Sequence, residues 1–263
     1  MRRLPAVALA AVLAAAAPAL ADPLQPVAGP LVGPVKSDHH ARIAGADVFY
    51  RTIFRETALK DSTGQAQATI SATAYLRADV ADPASRPVVF LFNGGPGASS
   101  SPLQFEALGP RLRVRSKGQP DAFVDNGSSL LDAADLVFID PVATGFSRVL
   151  PGGDASPWLT PEGDAEAMID FVHAWLKDNG RAASPVYLVG ESYGGFRLSL
   201  MLKDPGPLNL KGLAVVSPLL DASATAEAKG NDLPYVFALP SMAAAAFAQH
   251  KGSLDAADAR GAF

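Results

Sequence analysis

The five residues Gly190-Glu191-Ser192-Tyr193-Gly194 constrain this chain more than any other stretch. They fit the pattern Gly-x-Ser-x-Gly, and their surroundings give the pattern its meaning. The apolar run 186–189 reads as a buried strand, and residues 192–202 follow with helical spacing. A serine on a tight turn between strand and helix projects its hydroxyl at the carboxyl end of a sheet. A side chain at either glycine would meet the helix or the neighbouring strand. The backbone N–H of Tyr193 would point from the helix N-terminus toward charge developing on a bound carbonyl oxygen. The alternative is a glycine-rich turn with an incidental serine, and the strand-turn-helix setting favours Ser192 as a nucleophile.

The rest of the chain repeats the same grammar. Residues 88–92 are a short, wholly apolar run of the kind found in buried central strands. Residues 134–139 form another, ending at Asp140-Pro141. Residues 161–179 have helical spacing, with Met168, Ile169, Val172, Trp175 and Leu176 on one stripe and Gly180 as a cap. Residues 213–216 supply a further strand. Upstream, residues 42–57 and 67–77 flank the turn-prone segment 60–64, which predicts an antiparallel hairpin of two long strands. The fold class is therefore α/β: a mostly parallel sheet covered on both faces and entered through an antiparallel hairpin. Residues 22–41 read as leader or linker, 42–220 as the core, and 221–263 as the start of a helical insertion, with an Ala-rich helical segment at 239–251.

With 263 residues, 49% hydrophobic and 18% charged, the chain can bury a sizeable core. A formal net charge of −4 and the lack of a basic run argue against nucleic acid as a partner. Cysteine is absent, which excludes disulfides, thiolate metal sites and cysteine catalysis. Arg2 and Arg3 precede an Ala-rich apolar stretch ending in Ala19-Leu20-Ala21, so residues 1–21 read as a secretory signal cleaved after Ala21. The expected location is secreted or periplasmic, with no stable membrane insertion after cleavage. No metal constellation or dinucleotide fingerprint stands out, and no cofactor is expected.

Asn93-Gly94-Gly95-Pro96-Gly97 directly follows the strand at 88–92. Three glycines around a proline let successive backbone N–H groups turn toward one point, an anion-binding nest. In a fold with a nucleophile elbow, the loop after this early strand supplies the second oxyanion donor, so Gly95 or its neighbour is the candidate. A tight turn before a helix is the bland alternative for the loop alone.

Three ordered motifs carry a resemblance: NGGPGASS at 93–100, DLVFIDPVATGFSR at 135–148 and GESYGG at 190–195. Together they resemble the serine carboxypeptidase family of the α/β-hydrolase fold, and are most similar to its bacterial members, over residues 43–252. The resemblance implies release of the C-terminal residue of a peptide through an acyl-enzyme on Ser192. It implies that Gly95 and Tyr193 form the oxyanion hole and that Asn93 and Glu191 bind the substrate's free C-terminal carboxylate. A carboxylate facing Glu191 must share a proton with it, which implies an acidic preference. Without the resemblance, Glu191 reads equally well as an acid serving the helix dipole. Ala98 stands where the family often has cysteine, and Glu106 sits one residue away from a family recognition acid, so that role is not transferred.

A serine hydrolase also needs a base and an acid to orient it, in the chain order Ser, Asp or Glu, His. His39 and His40 lie at the exposed start of the first strand, and His173 on the helix before the elbow. His250 alone follows Ser192, but it trails an Ala-rich helix rather than a strand. Aspartates 204, 221, 232, 255 and 258 follow no recognisable later strand. The expectation is a chain that stops before its acid and base, leaving a hydrophobic sheet edge, inactivity and poor solubility when expressed alone. The competing readings are an esterase or acyltransferase on the same elbow, and a non-catalytic peptide-binding remnant.

Overall fold

The computed structural model describes residues 24–221, 223 and 228–249. The proposed signal segment, His250 and the last residues lie outside them. Seven strands form one sheet in the order β1-β2-β3-β7-β4-β8-β9. β1 (Val35–Ile43), β2 (Ala46–Lys60) and β3 (Ala66–Arg77) are antiparallel, and β3 joins β7 (Asp135–Asp140) antiparallel. From there β7, β4 (Val88–Phe92), β8 (Val186–Glu191) and β9 (Leu210–Val216) run parallel. Two short strands, β5 (Arg111–Val114) and β6 (Ala122–Asp125), form a separate hairpin. This mixed sheet, with its elbow after β8, is the α/β-hydrolase fold.

The core sits where the sequence is wholly apolar. Every residue of β4 is buried, and Phe90 meets Trp175 edge to face at 5.4 Å. Trp175 belongs to α1 (Pro161–Asp178), whose stripe Met168, Ile169, Val172, Trp175 and Leu176 is buried as its spacing predicts. Thr160 caps this helix by accepting the N–H of Gly163 at 3.1 Å, and Gly180 at φ +66° follows its end. α2 (Tyr193–Met201) packs beside α1. One buried carboxylate ties the start of the parallel sheet together. Asp135, 2% exposed, accepts from Arg181 at 2.6 Å, Arg86 at 3.0 Å and the N–H of Arg77 at 2.9 Å. Such a carboxylate is tolerable inside because three donors satisfy it.

The structure departs from the sequence reading at both ends of the core. The first long run is two strands, because Ala44 and Gly45 turn the chain at φ +49° and +82°. Both positive angles belong to a two-residue hairpin turn, and alanine is an unusual occupant of the first. The linker reading ends early: β1 starts at Val35, and residues 27–32 are docked rather than loose. Arg148 donates to the carbonyls of Val27 at 2.6 Å and Pro30 at 2.9 Å, while Val27 N–H donates to Val149 O at 3.0 Å. Glu56 locks this strap, accepting from Val32 N–H at 2.7 Å and from Arg148 Nε at 2.7 Å. Burial pushes the Glu56 carboxyl up, but Arg148, Val32 N–H and Thr69 outweigh it and hold it below its ordinary value.

At the other end, the Ala-rich helix α3 spans Leu233–Ala248 with Pro240 inside it. On β9, Leu213, Val215 and Val216 are 42–50% exposed. Among the described residues β9 pairs with β8 alone. No helix among them is long and apolar enough to cross a membrane.

Candidate active site

Three loops leave the carboxyl ends of the parallel strands β4, β7 and β8 and meet. This is where open α/β sheets place their ligands. The β4–β8 register pairs Phe92 with Gly190, which sets Asn93 beside Glu191 although 98 positions separate them. Asn93 Nδ2 donates to Glu191 Oε2 at 2.9 Å. The Asn93 oxygen is occupied by the N–H of Leu103 at 3.1 Å, which fixes the amide's orientation. Asn93 is 4% exposed, while Glu191 is half-buried at the rim.

Ser192 follows Glu191 with φ +56° and ψ −122°, a conformation L residues avoid. Two bonds from the β9 side hold it: Ser192 N–H donates to Val216 O at 2.9 Å, and Leu219 N–H donates to Ser192 O at 3.0 Å. The flanking glycines are needed for space. A Cβ on Gly190 would overlap the Gly194 carbonyl of α2, and one on Gly194 would stand 3.0 Å from Phe92 O of β4. Backbone strain of this type costs about 1–3 kcal/mol and clusters at active sites. Ser192→Gly is therefore expected to raise stability by about 1 kcal/mol net of glycine's extra freedom when unfolded. A urea midpoint at or below that of the unchanged chain would show that the turn stores no strain.

The glycine loop presses against the elbow. A Cβ on Gly94 would overlap Tyr193 N and lie 2.6 Å from Glu191 O, so only glycine lets the two segments approach. Gly95 adopts φ +104°. Among the described residues neither Gly95 N–H nor Tyr193 N–H has an acceptor; Tyr193, as the first residue of α2, has none within the helix. Asp140 braces the loops from β7. It accepts from Ser100 N–H at 2.8 Å, Phe146 N–H at 3.2 Å and the Ser71 hydroxyl at 3.3 Å, and burial pushes its carboxyl up. The DPVATGFSR motif thus acts through Asp140 as a loop brace.

Arg197 sits beneath the site, 1% exposed. It donates to Asp164 at 2.7 Å and to Asn93 O at 2.9 Å, and it lies over the Phe92 and Tyr193 rings at 5.4 and 5.3 Å. The sequence reading passed over it, because nothing local marks a cation on the helix behind the elbow as buried. A cavity of about 420 Å³ opens beside Pro96, Gly97 and Tyr193. A larger groove of about 690 Å³, near Asp61 and Asp170, is lined by none of these site residues.

The structure brings Asn93, Gly95, Glu191, Ser192 and Tyr193 together, and no histidine among the described residues joins them. His39 and His40 are exposed on β1, His39 bonding Ser37 Oγ at 2.7 Å. His173 Nε2 meets Pro205 O at 2.9 Å. Glu106 pairs with Arg113 and Arg115 on the surface. Among the described residues Ser192 Oγ has no hydrogen-bond partner.

The model of the serine carboxypeptidase family matches residues 74–253. Serine carboxypeptidase-like 36 of Arabidopsis thaliana is 34% identical over 149 residues, 51% of this chain and 29% of that protein. Carboxypeptidase Y homolog A of Penicillium rubens is 31% identical, over 53% of this chain and 25% of that protein. This chain thus matches about a third or less of the length of these curated relatives. Among solved structures, Kex1(delta)p, a prohormone-processing carboxypeptidase of Saccharomyces cerevisiae, superposes with a TM-score of 0.55 at 22% identity. That likeness covers 72% of this chain and 42% of the other, and it concerns the fold.

Proposed function

This chain belongs to the serine carboxypeptidase family, and on that premise we propose that Ser192 is the nucleophile of an enzyme releasing the C-terminal residue of a peptide. The observation that carries this reading is the Asn93–Glu191 hydrogen bond of 2.9 Å next to the elbow. An asparagine amide has two N–H donors and one oxygen. Here the oxygen and one N–H are spent within the protein, and the second N–H remains for a ligand oxygen. Glu191 beside it can share a proton with a substrate carboxylate, a hydrogen bond that replaces the repulsion between two like charges. A free C-terminus is the group that suits such a pair.

The chemistry then follows from position. Ser192 Oγ attacks the carbonyl of the last peptide bond and gives its proton to a base. The oxygen's charge falls on the Gly95 and Tyr193 N–H groups. The C–N bond breaks as the departing amino acid takes a proton, and water then hydrolyses the ester on Ser192. We assign the base and its orienting acid to residues outside those described. The basic, apolar start of the chain supports export.

Binding tests the reading without turnover. A blocked dipeptide with a free carboxylate is expected to bind at least about tenfold more tightly than its amide, the loss of one charge-assisted hydrogen bond. Glu191→Ala is expected to erase that preference. Equal affinities for acid and amide by calorimetry would instead favour an esterase-like or acyltransferase site.

A further inference from the structure

The cavity beside the oxyanion loop has a wall from an unexpected place. Pro96, Gly97, Val142, Trp158 and Tyr193 line it, and so does Leu24. Leu24 arrives from the N-terminal strap, the segment fixed by Arg148, Glu56 and Val149 a few residues further on. The segment is rich in Pro and Gly, and the first strand begins only after it, at Val35. The receptor is elsewhere: a 7% exposed glutamate, Glu56, and Arg148, whose guanidinium is divided between that carboxylate and the strap carbonyls. Ordering a polar backbone against a buried ion pair costs chain entropy and desolvation.

The cavity's chemistry states what it takes. Its walls are largely apolar, and its charged members Asp164 and Arg197 neutralise each other at 2.7 Å. About 420 Å³ is within the range of small-ligand pockets and holds one large side chain. Asn93 and Glu191 do not line it, although Tyr193 and the oxyanion loop do. Ser192 and Gly95 do not line it either, so the cavity adjoins the site through Tyr193, Pro96 and Gly97. A peptide held by its carboxylate at Asn93 and Glu191 would have its acyl side on that flank.

We propose that the N-terminal strap is a specificity element: Leu24 walls the acyl-side pocket and sets how large a penultimate side chain the protein accepts. This rests on the carboxypeptidase reading above. Leu24 is 46% exposed, so substituting it leaves the core intact.

The test measures affinities of the full chain, by calorimetry, for blocked dipeptides ending in glycine with phenylalanine or alanine in the penultimate position. Leu24→Trp fills the cavity and is expected to weaken the phenylalanine peptide at least about tenfold, with the alanine peptide unchanged. Val27→Pro removes the strap's N–H bond to Val149 without touching the cavity. It is expected to reduce the discrimination that the unchanged chain shows between the two peptides. If peptides bind with the acid preferred over the amide but neither variant alters the ratio, the strap proposal is overturned and the parent reading stands. If the unchanged chain binds no peptide, or binds acid and amide alike, the parent reading fails and this one fails with it.

Discussion

Arg197→Ala is expected to lower the unfolding free energy by about 3–5 kcal/mol, the usual cost of removing one partner from a buried ion pair. The substitution leaves Asp164 ionised with no partner and the Asn93 carbonyl without its donor. It also removes the cation lying over Phe92 and Tyr193. The loss should depend on pH with a definite sign. Burial pushes the Asp164 carboxyl above its ordinary 3.8, and Arg197 only partly offsets this. A carboxyl raised in the folded state favours folding most when protonated, and that contribution disappears as pH rises through its folded value. Without Arg197 the rise is larger. The variant should therefore be weakest near neutral pH and recover toward the unchanged chain as pH falls toward 4. Denaturant midpoints at several pH values check this. A constant deficit across the range would mean that lost packing, not the unpaired charge, sets the cost. Replacing the pair together, by Asp164→Leu with Arg197→Met, should cost clearly less than Arg197→Ala alone.

Ser192→Ala carries the second large effect, and its size reports on more than the serine. In a complete triad the residues act as a unit, so losing the nucleophile lowers turnover by about 10⁴–10⁶. Where the base is missing, most of that acceleration is already gone, and deleting the hydroxyl changes little. A drop of about 10⁴ or more in hydrolysis of a blocked dipeptide would mean that a base reaches Ser192 from outside the described residues. A drop below tenfold would mean that no complete triad acts through Ser192 in this chain. Mass analysis after a serine-directed phosphonate gives an independent reading: one adduct on the unchanged chain and none on the variant.

What was legible in the sequence was local. The elbow announces itself because Gly190 answers to a steric need a few residues away, at Gly194. The loop at 93–97 does so because its three glycines surround a proline, although the group that requires Gly94, Tyr193 N, belongs to a distant segment. The stripe on α1 was legible for the same reason, since helical spacing needs no partner to be seen. The alignment of Asn93 with Glu191 came from the family resemblance, because register between β4 and β8 is a property of two distant segments. Arg197 reads as a surface cation until the fold delivers Asp164 and Asn93 O to it. The strap was mistaken for a linker because backbone carbonyls hold it, and carbonyls leave no trace in side-chain patterns. The turn at Ala44-Gly45 escaped notice because alanine seldom takes a positive φ.

The bonds from Val216 and Leu219 to Ser192 have a dynamic consequence. They anchor Ser192 to the strand of the sheet that is least sheltered among the described residues, not to its buried middle. Peripheral segments with few buried contacts open locally at much lower cost than the whole fold. Each such fluctuation of β9 unlatches the residue that stores the elbow's strain. A strand laid along the outer side of β9 would slow those openings and steady Ser192 from a distance, without touching the pocket or the oxyanion loop.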